Sequence, residues 1–155
     1  MERYLRKKLA GGKFSNVHPA RSATMGKIRG KGNRTTELRL RFALVRARIS
    51  GWQLHTKVSG NPDFFFAKHR VALFVDGCFW HGCPKCGHIP NTNRAFWKAK
   101  IERNQQRAKR WDKALKKSGI SAHHIWECEL KKDLSSMVKE IVVLLRERGK
   151  RRAAQ

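Results

Sequence analysis

Two short apolar runs stand out in the hydrophobic pattern of the chain, FFF at 64–66 and VALFV at 71–75. Short apolar runs that are bounded by turn residues are typical of buried strands. Because only a tight connection around Lys68-His69-Arg70 separates them, we predict that they pair as a hairpin. The second run becomes polar at Asp76-Gly77. In open α/β sheets, ligands and chemistry collect at the carboxyl end of such a strand.

Around this hairpin, three stretches have apolar residues at helical spacing. A first helix should begin after Thr35 or Thr36 and end at Gly51, with a buried stripe formed by Leu38, Phe42, Val45 and Ile49. A long helix is predicted at about 94–117 and a last one at about 132–148. Residues 52–58 and 120–127 are further strand candidates. This order of elements predicts a mixed α/β domain in which helices cover a small sheet.

Composition adds a strong positive charge to this picture. The 155-residue chain has 36 Lys and Arg against 11 Asp and Glu, which gives a net charge of +25. Such a protein is expected to bind a polyanion, and nucleic acid is the first candidate. A membrane surface and a merely basic, ribosome-associated role are the alternatives. The basic, aperiodic residues 1–32 resemble an arm, either a disordered tail or a segment that orders on DNA.

Neither a signal peptide nor a membrane span is evident in the sequence, since the N-terminus lacks an apolar segment and no apolar run is long enough. We therefore expect a soluble intracellular protein, in which disulfides are disfavoured. Its four cysteines then need another explanation. Three follow C-x4-C-x2-C spacing and the fourth closes the last strand candidate: Cys78, Cys83, Cys86 and Cys128.

Four thiolates can hold Zn²⁺ tetrahedrally in a closed, structural site. Here such a site would fasten the loop after the third strand to the end of the fourth. His81 or His88 could replace one cysteine as a ligand, and an iron–sulfur cluster is a further alternative. Four free or buried cysteines are the alternative without a metal.

Acidic residues are scarce, so those beside apolar strands are candidates for chemistry. Asp63 and Asp76 should lie at the same end of the predicted hairpin, where carboxylates can coordinate Mg²⁺ for a nuclease. Glu37 could approach this end from the first helix, and His81 is a candidate general base. Singly, these residues could be turn caps, a turn residue or a zinc ligand. Together they favour an active site.

Phe79 and Trp80 are two large aromatic residues on an otherwise polar loop. Packing within the loop is the ordinary explanation. In a DNA-binding protein they could instead form a wedge that enters between base pairs.

Several motifs resemble the very short patch repair (Vsr) DNA mismatch endonucleases. They are Pro62-Asp63-Phe64, the segment from Val75 to Pro84 with its Gly-Cys-Phe-Trp-His core, residues 93–104 around Phe96-Trp97, and Trp126-Glu127-Cys128. The match runs from about residue 21 to 145. It implies a restriction-endonuclease-like (PD-(D/E)XK-type) core over 21–148, a flexible basic arm at 1–20 and a basic tail at 149–155.

The resemblance implies an enzyme that nicks one strand 5′ of the thymine in a T·G mismatch, with catalytic Mg²⁺ and one structural zinc. Asp63 and the backbone carbonyl of Val75 resemble the magnesium contacts, His81 the catalytic histidine and Glu37 its supporting acid. Phe79, Trp80 and Met25 resemble the intercalating wedge. Cys78, Cys83, Cys86 and Cys128 resemble the zinc ligands. We expect a cytoplasmic, nucleoid-associated monomer whose partner is mismatched double-stranded DNA.

Two positions depart from the family pattern. Where the best-studied pattern has a histidine paired with an aspartate on the following helix, this chain has Asp76 and Ala108. The partner acid is therefore missing, and Asp76 does not simply inherit the histidine's role. The alternatives are a zinc-stabilised DNA-binding protein without catalysis and a nuclease that does not require a mismatch.

Overall fold

A computed structural model of the protein describes residues 3–9, 11, 14, 36–54 and 56–153. Its helices are α1 (Arg3–Arg6), α2 (Glu37–Arg46), α3 (Cys78–His81), α4 (Arg94–Lys117), α5 (Glu127–Lys132) and α6 (Leu134–Ala153). Its strands are β1 (Trp52–Gln53), β2 (Phe64–Phe66), β3 (Val71–Asp76) and β4 (Ser121–Trp126). The mixed α/β class is confirmed, whereas the restriction-endonuclease-like core remains a prediction.

The described strands form one sheet in the order β1-β2-β3-β4. The predicted hairpin is confirmed, because β2 and β3 are antiparallel with Phe64 opposite Leu73. A short 3-10 turn joins them and ends at Arg70, whose φ of 53° lies in the left-handed region. β4 runs parallel to β3, with Asp76 beside Trp126. A parallel pair needs a long crossover, and α3 and α4 supply it.

Alternation along the strands gives the sheet two buried faces. Phe64, Phe66 and Leu73 face one side, where they pack with Leu40 of α2 and Ile141 of α6. The opposite face carries Ala72 and Phe74, which pack against Leu115 of α4. The sheet is therefore the middle layer between α2 with α6 on one side and α4 on the other. β3 is buried on both faces, as its continuous apolar run predicts.

The structure corrects the predicted face of the first helix. Phe42 and Val45 are exposed, at 65% and 58%, whereas Leu40 and Leu44 are fully buried. The helix also ends at Arg46 rather than at Gly51. Apolar residues fall on two stripes of this arginine-rich segment, and contact with the sheet and α6 determines which stripe is buried.

The last predicted helix corresponds to α6, and a separate short helix, α5, precedes it because the chain breaks at Asp133. This residue has φ −149° and ψ 88° at the end of α5, and its carboxylate accepts a hydrogen bond from the backbone N–H of Ser136 at 2.8 Å. Such a bond caps the first turn of the next helix. α6 then continues beyond the predicted end, through Arg148 to Ala153.

Part of the predicted N-terminal arm packs onto the domain. Leu5 and Leu9 are buried, at 1% and 5% exposure, in a cluster with Phe96 of α4. Phe14 contacts the same ring edge-on, at 4.8 Å between centroids. The domain boundaries drawn from the sequence stay predictions. Among the described residues, no helix combines the length and apolar character that crossing a membrane requires.

Candidate active site and cysteine cluster

The carboxyl end of β3 brings together the candidate residues on the hairpin. β2 begins at Phe64, which pairs with Leu73 of β3. Val75 of β3 therefore lies beyond the part of the strand that pairs with β2. In place of a backbone partner on β2, the Asp63 carboxylate accepts a hydrogen bond from the Val75 N–H at 2.7 Å. Because a strand residue directs its N–H and C=O to the same side, the Val75 carbonyl also points toward the Asp63 side of the strand. The predicted placement of Asp63 and Asp76 at one end is confirmed.

Asp76 and His81 form the second part of this site. Asp76 is only 7% exposed, and its Oδ1 lies 3.5 Å from Nδ1 of His81. Burial lowers the pKa of His81 below its ordinary value, although the Asp76 carboxylate opposes this effect. The imidazole is therefore neutral near pH 7 and able to accept a proton.

His124 and Asp112 also belong to this cluster, although neither was predicted from the sequence. His124 Nδ1 lies 2.7 Å from Asp76 Oδ2, and its Nε2 lies 3.0 Å from Asp112 Oδ1. The hydrogen bond to Asp76 is the largest of the effects that raise the pKa of His124 to about 9, against the opposing effect of burial, and Asp112 adds to it. The sequence did contain a signal for His124, because His123 and His124 lie in β4, the strand beside β3. Choosing between His123 and His124, however, required the register of β4.

Helix α3 carries the two wedge candidates and is held in place by α4. Asn104, buried at 6% exposure, donates to the Trp80 carbonyl at 2.8 Å. Gln105 donates to the His81 carbonyl at 3.0 Å. Gly82 ends α3 with a φ of +64°, and a Cβ there would lie 2.8 Å from the side chain of Ile101. The turn that bears His81 therefore depends on specific polar contacts with α4.

The rings of Phe79 and Trp80 are half-buried and belong to a larger aromatic cluster. Their centroids are 5.1 Å apart, and Phe79 also packs edge-on against Trp97 of α4 at 5.1 Å. Trp97 in turn lies 6.0 Å from Phe14. The two rings are thus packed within the cluster, yet each keeps part of its surface accessible.

The four cysteines converge as predicted. Cys78, Cys83, Cys86 and Cys128 place their sulfur atoms within 4.8 Å of one another. The Cys83 and Cys128 sulfurs are 3.7 Å apart, too far for a disulfide bond. Sulfurs bound tetrahedrally to zinc at about 2.3 Å would be about 3.8 Å apart. The cluster could therefore hold a metal such as zinc.

One of the four sulfurs, that of Cys83, lies in surroundings that favour the thiolate, whereas burial raises the pKa of Cys78. Burial raises the pKa of Cys83, but backbone N–H groups of Lys85 and Cys86 directed at its sulfur, together with the side chains of Cys128 and Cys86, outweigh this and lower the pKa to about 7. Stabilised thiolates are what a metal requires. A salt bridge of 2.7 Å between Lys85 and Glu129 fastens the cysteine loop to α5.

For two of the predicted residues, a place at this site stays a prediction. Glu37 is buried at 5% exposure in the first turn of α2, and its proximity to Asp63 stays a prediction. Met25 lies outside the described residues. The assigned roles of all these side chains are likewise still predictions.

Positive charge is concentrated on the helix behind the site. α4 carries ten lysines and arginines against two acids, Glu102 and Asp112. Most of these cations are exposed. The helix that positions α3 thus also presents a strongly cationic surface.

Comparisons with known proteins identify the relatives of this chain. A family model described as DNA mismatch endonuclease Vsr matches residues 16–86. DNA mismatch endonuclease Vsr of Escherichia coli (strain K12) is 32% identical over 126 residues, which cover 76% of this chain and 77% of that protein. The relatives of this mixed α/β protein, with its strand-end carboxylates and four-cysteine cluster, are thus proteins named as endonucleases. The chain belongs to the Vsr family.

Other relatives share a shorter segment. Type II nicking enzyme V.NmeAIP of Neisseria meningitidis is 40% identical over 90 residues, covering 53% of this chain and 64% of that protein. Type II nicking enzyme V.XorIIP of Xanthomonas oryzae is 42% identical over 82 residues, covering 51% of this chain and 60% of that protein. The chain thus spans less than two thirds of the length of these nicking enzymes.

Proposed function

We propose that the protein is a DNA endonuclease that nicks one strand of duplex DNA 5′ of the thymine of a T·G mismatch. The observation that carries this proposal is the meeting of Asp63, the Val75 backbone and the Asp76–His81 pair at one end of the sheet. Membership of the Vsr family supports it. The mismatch and the nick are taken from the names of two relatives, DNA mismatch endonuclease Vsr and type II nicking enzyme V.NmeAIP.

The catalytic metal in this proposal is Mg²⁺, held by the Asp63 carboxylate and the Val75 carbonyl. Oxygen donors of these two kinds suit magnesium, and the 2.7 Å hydrogen bond keeps the carboxylate beside the Val75 backbone. When bound, the ion would orient water and stabilise charge on the phosphate. Zinc in the cysteine cluster would have a structural role, because four thiolates leave no open position.

His81 would act as the general base. Its lowered pKa keeps the imidazole neutral at neutral pH, so it can take a proton from the attacking water. The Asp76 oxygen at 3.5 Å would orient the ring through Nδ1. The other ring nitrogen, Nε2, is then the one that accepts the proton.

The aromatic pair of α3 would supply recognition of the mismatch. Insertion of Phe79 and Trp80 between base steps costs a few kcal/mol of stacking, and mispairing lowers that cost. Binding itself would come from contacts between the cations of α4 and the phosphates, so affinity should fall steeply with salt.

A nicking assay that compares duplexes with and without a mismatch tests the proposal. Labelled duplexes that differ only by one T·G mismatch are incubated with protein and Mg²⁺, in a range of sequence contexts. We expect one nick, 5′ of the mismatched thymine. Asp63→Asn should abolish it, whereas the matched control Asp133→Asn, which replaces one helix-capping residue by another, should cut like the wild type.

The remaining outcomes separate the alternatives. Cutting of mismatched and paired duplexes alike would identify a nuclease without a mismatch requirement. A salt-sensitive band shift without any cut would identify a DNA-binding protein. Undiminished cutting by Asp63→Asn would show that the metal assignment is wrong.

A further inference from the structure

The Asp76 carboxylate lies in a chain of contacts that runs from β3 through β4 to α4. The β3–β4 register places Phe74 beside His124. Side chains alternate along a strand, so Asp76 and His124 lie on the same face of the sheet. That face is the one covered by α4, which contributes Asp112.

The imidazole of His124 is fixed on three sides. Each ring nitrogen has a carboxylate partner, Asp76 at 2.7 Å and Asp112 at 3.0 Å. The ring also stacks on Phe74, with centroids 4.9 Å apart and planes inclined by 12°. Only the doubly protonated imidazole can donate to both carboxylates. These contacts leave the ring little freedom to rotate.

The orientation of Asp76 follows from this arrangement. Its Oδ2 is engaged by His124 at 2.7 Å, and its Oδ1 faces His81 at 3.5 Å. At 7% exposure, the carboxylate has little water to compete for either oxygen. His124 therefore determines where the oxygen that faces His81 points.

Asp112 lies one helical turn beyond Ala108, so both residues fall on the same face of α4. Ala108 is the position at which the acid of the family pattern is missing. In this chain the carboxylate on α4 is that of Asp112, four residues after Ala108. It contacts Asp76 through His124, which hydrogen-bonds to both.

We propose that His124 and Asp112 are positioning residues for the nicking reaction: they hold Asp76, and through it His81, in the orientation that the reaction needs. The inference rests on the proposed function, since it assigns these residues to the same site. Neither residue would contact DNA or the metal.

Steady-state nicking over a range of mismatched-duplex concentrations is the first measurement. Loss of a residue that orients a catalytic group commonly costs about 10–100-fold, so we expect His124→Asn to lower kcat by about that factor with KM unchanged. Asp112→Ala should lower kcat less, by about 3–10-fold, because Asp112 acts one contact further away. Asp112→Asn keeps an oxygen that accepts from Nε2 and should restore most of the rate.

His123→Asn is the matched control, because His123 lies next to His124 but bonds Ser121 at 3.0 Å instead. It should nick like the wild type. A double variant adds a second criterion: in a His81→Ala background, His124→Asn should cause no further loss. A rate within twofold of wild type for His124→Asn, or losses that multiply in the double variant, would overturn the inference.

Histidine ring NMR keeps the inference testable apart from activity. Asp112→Ala should shift the ring signals of His81, whereas His123→Asn should leave them in place. If the wild type nicks no duplex, the proposed function fails and the NMR result alone judges the positioning network. Unmoved His81 signals in Asp112→Ala would then refute it.

Discussion

The charged state of His124 makes the stability of the folded protein depend on pH in a predictable direction. Its pKa is raised from the ordinary value of 6.5 to about 9, first through the hydrogen bond to Asp76. A raised pKa means that the folded chain binds the proton more tightly than the unfolded chain. The stabilisation is therefore complete below about pH 6.5 and is lost as the pH rises through about 9.

The size of this effect follows from the two pKa values. A difference of about 2.5 pKa units corresponds to a ceiling of about 3.4 kcal/mol, at about 1.4 kcal/mol per unit. Water screens the contacts, because the side chains of His124 and Asp112 are 26% and 39% exposed. We therefore expect about 1–2 kcal/mol of pH-dependent stabilisation from this histidine.

Urea unfolding followed by tryptophan fluorescence measures it. Wild type and His124→Asn are compared at about pH 6 and about pH 10, and the difference between their free energies of unfolding should shrink by about 1–2 kcal/mol. Cysteines and lysines also titrate in this range, but they do so in both proteins. A difference that stays constant across the range would refute the assignment of a charged His124 between two carboxylates.

A control variant makes this comparison specific. Burial lowers the pKa of His123 below its ordinary value, so its contribution changes only below about pH 6.5. The difference between wild type and His123→Asn should accordingly stay flat from about pH 7 to about pH 10.

Three further predictions concern the elements that hold the site. Asn104→Ala should lower the free energy of unfolding by about 1–3 kcal/mol, because it leaves the Trp80 carbonyl without its donor. Gln106→Ala, at an exposed position of the same helix, should change it little. Equal losses for the two variants in urea unfolding would contradict the prediction. Gly82→Ala should lower the melting temperature and the nicking rate together, because a Cβ would lie 2.8 Å from Ile101 at a positive φ; an unchanged melting curve would refute this. Removal of zinc by a chelator should lower the melting temperature of the wild type, whereas Cys128→Ser should already be destabilised and respond little. Elemental analysis that finds no zinc in the purified protein would exclude the metal site.

Much of the architecture was predictable because local patterns decide it. The FFF and VALFV runs specify the hairpin, and the long stretch of helical spacing specifies α4 at Arg94–Lys117. The convergence of the cysteines follows from placing their loop and Cys128 at the ends of neighbouring parallel strands.

The errors occurred where two local patterns compete. In α2, a stripe through Phe42 and Val45 is as apolar as the one through Leu40 and Leu44, and only packing against the sheet selects between them. In β4, a register shift of one residue would exchange His123 for His124 at the site. The missed Asp112 is a consequence of the same ambiguity, because its partner has to be identified first.

The crossover between β3 and β4 has a consequence for how the protein is made on the ribosome. The segment that the family model matches ends at residue 86. Yet Asp76 meets His124 48 residues further along the chain, and Cys83 meets Cys128 45 residues further along. A nascent chain that has not yet reached β4 thus contains the matched segment but neither the Asp76–His124 contact nor the fourth sulfur. Assembly of the site therefore waits until the fourth strand has been synthesised and has paired with the third.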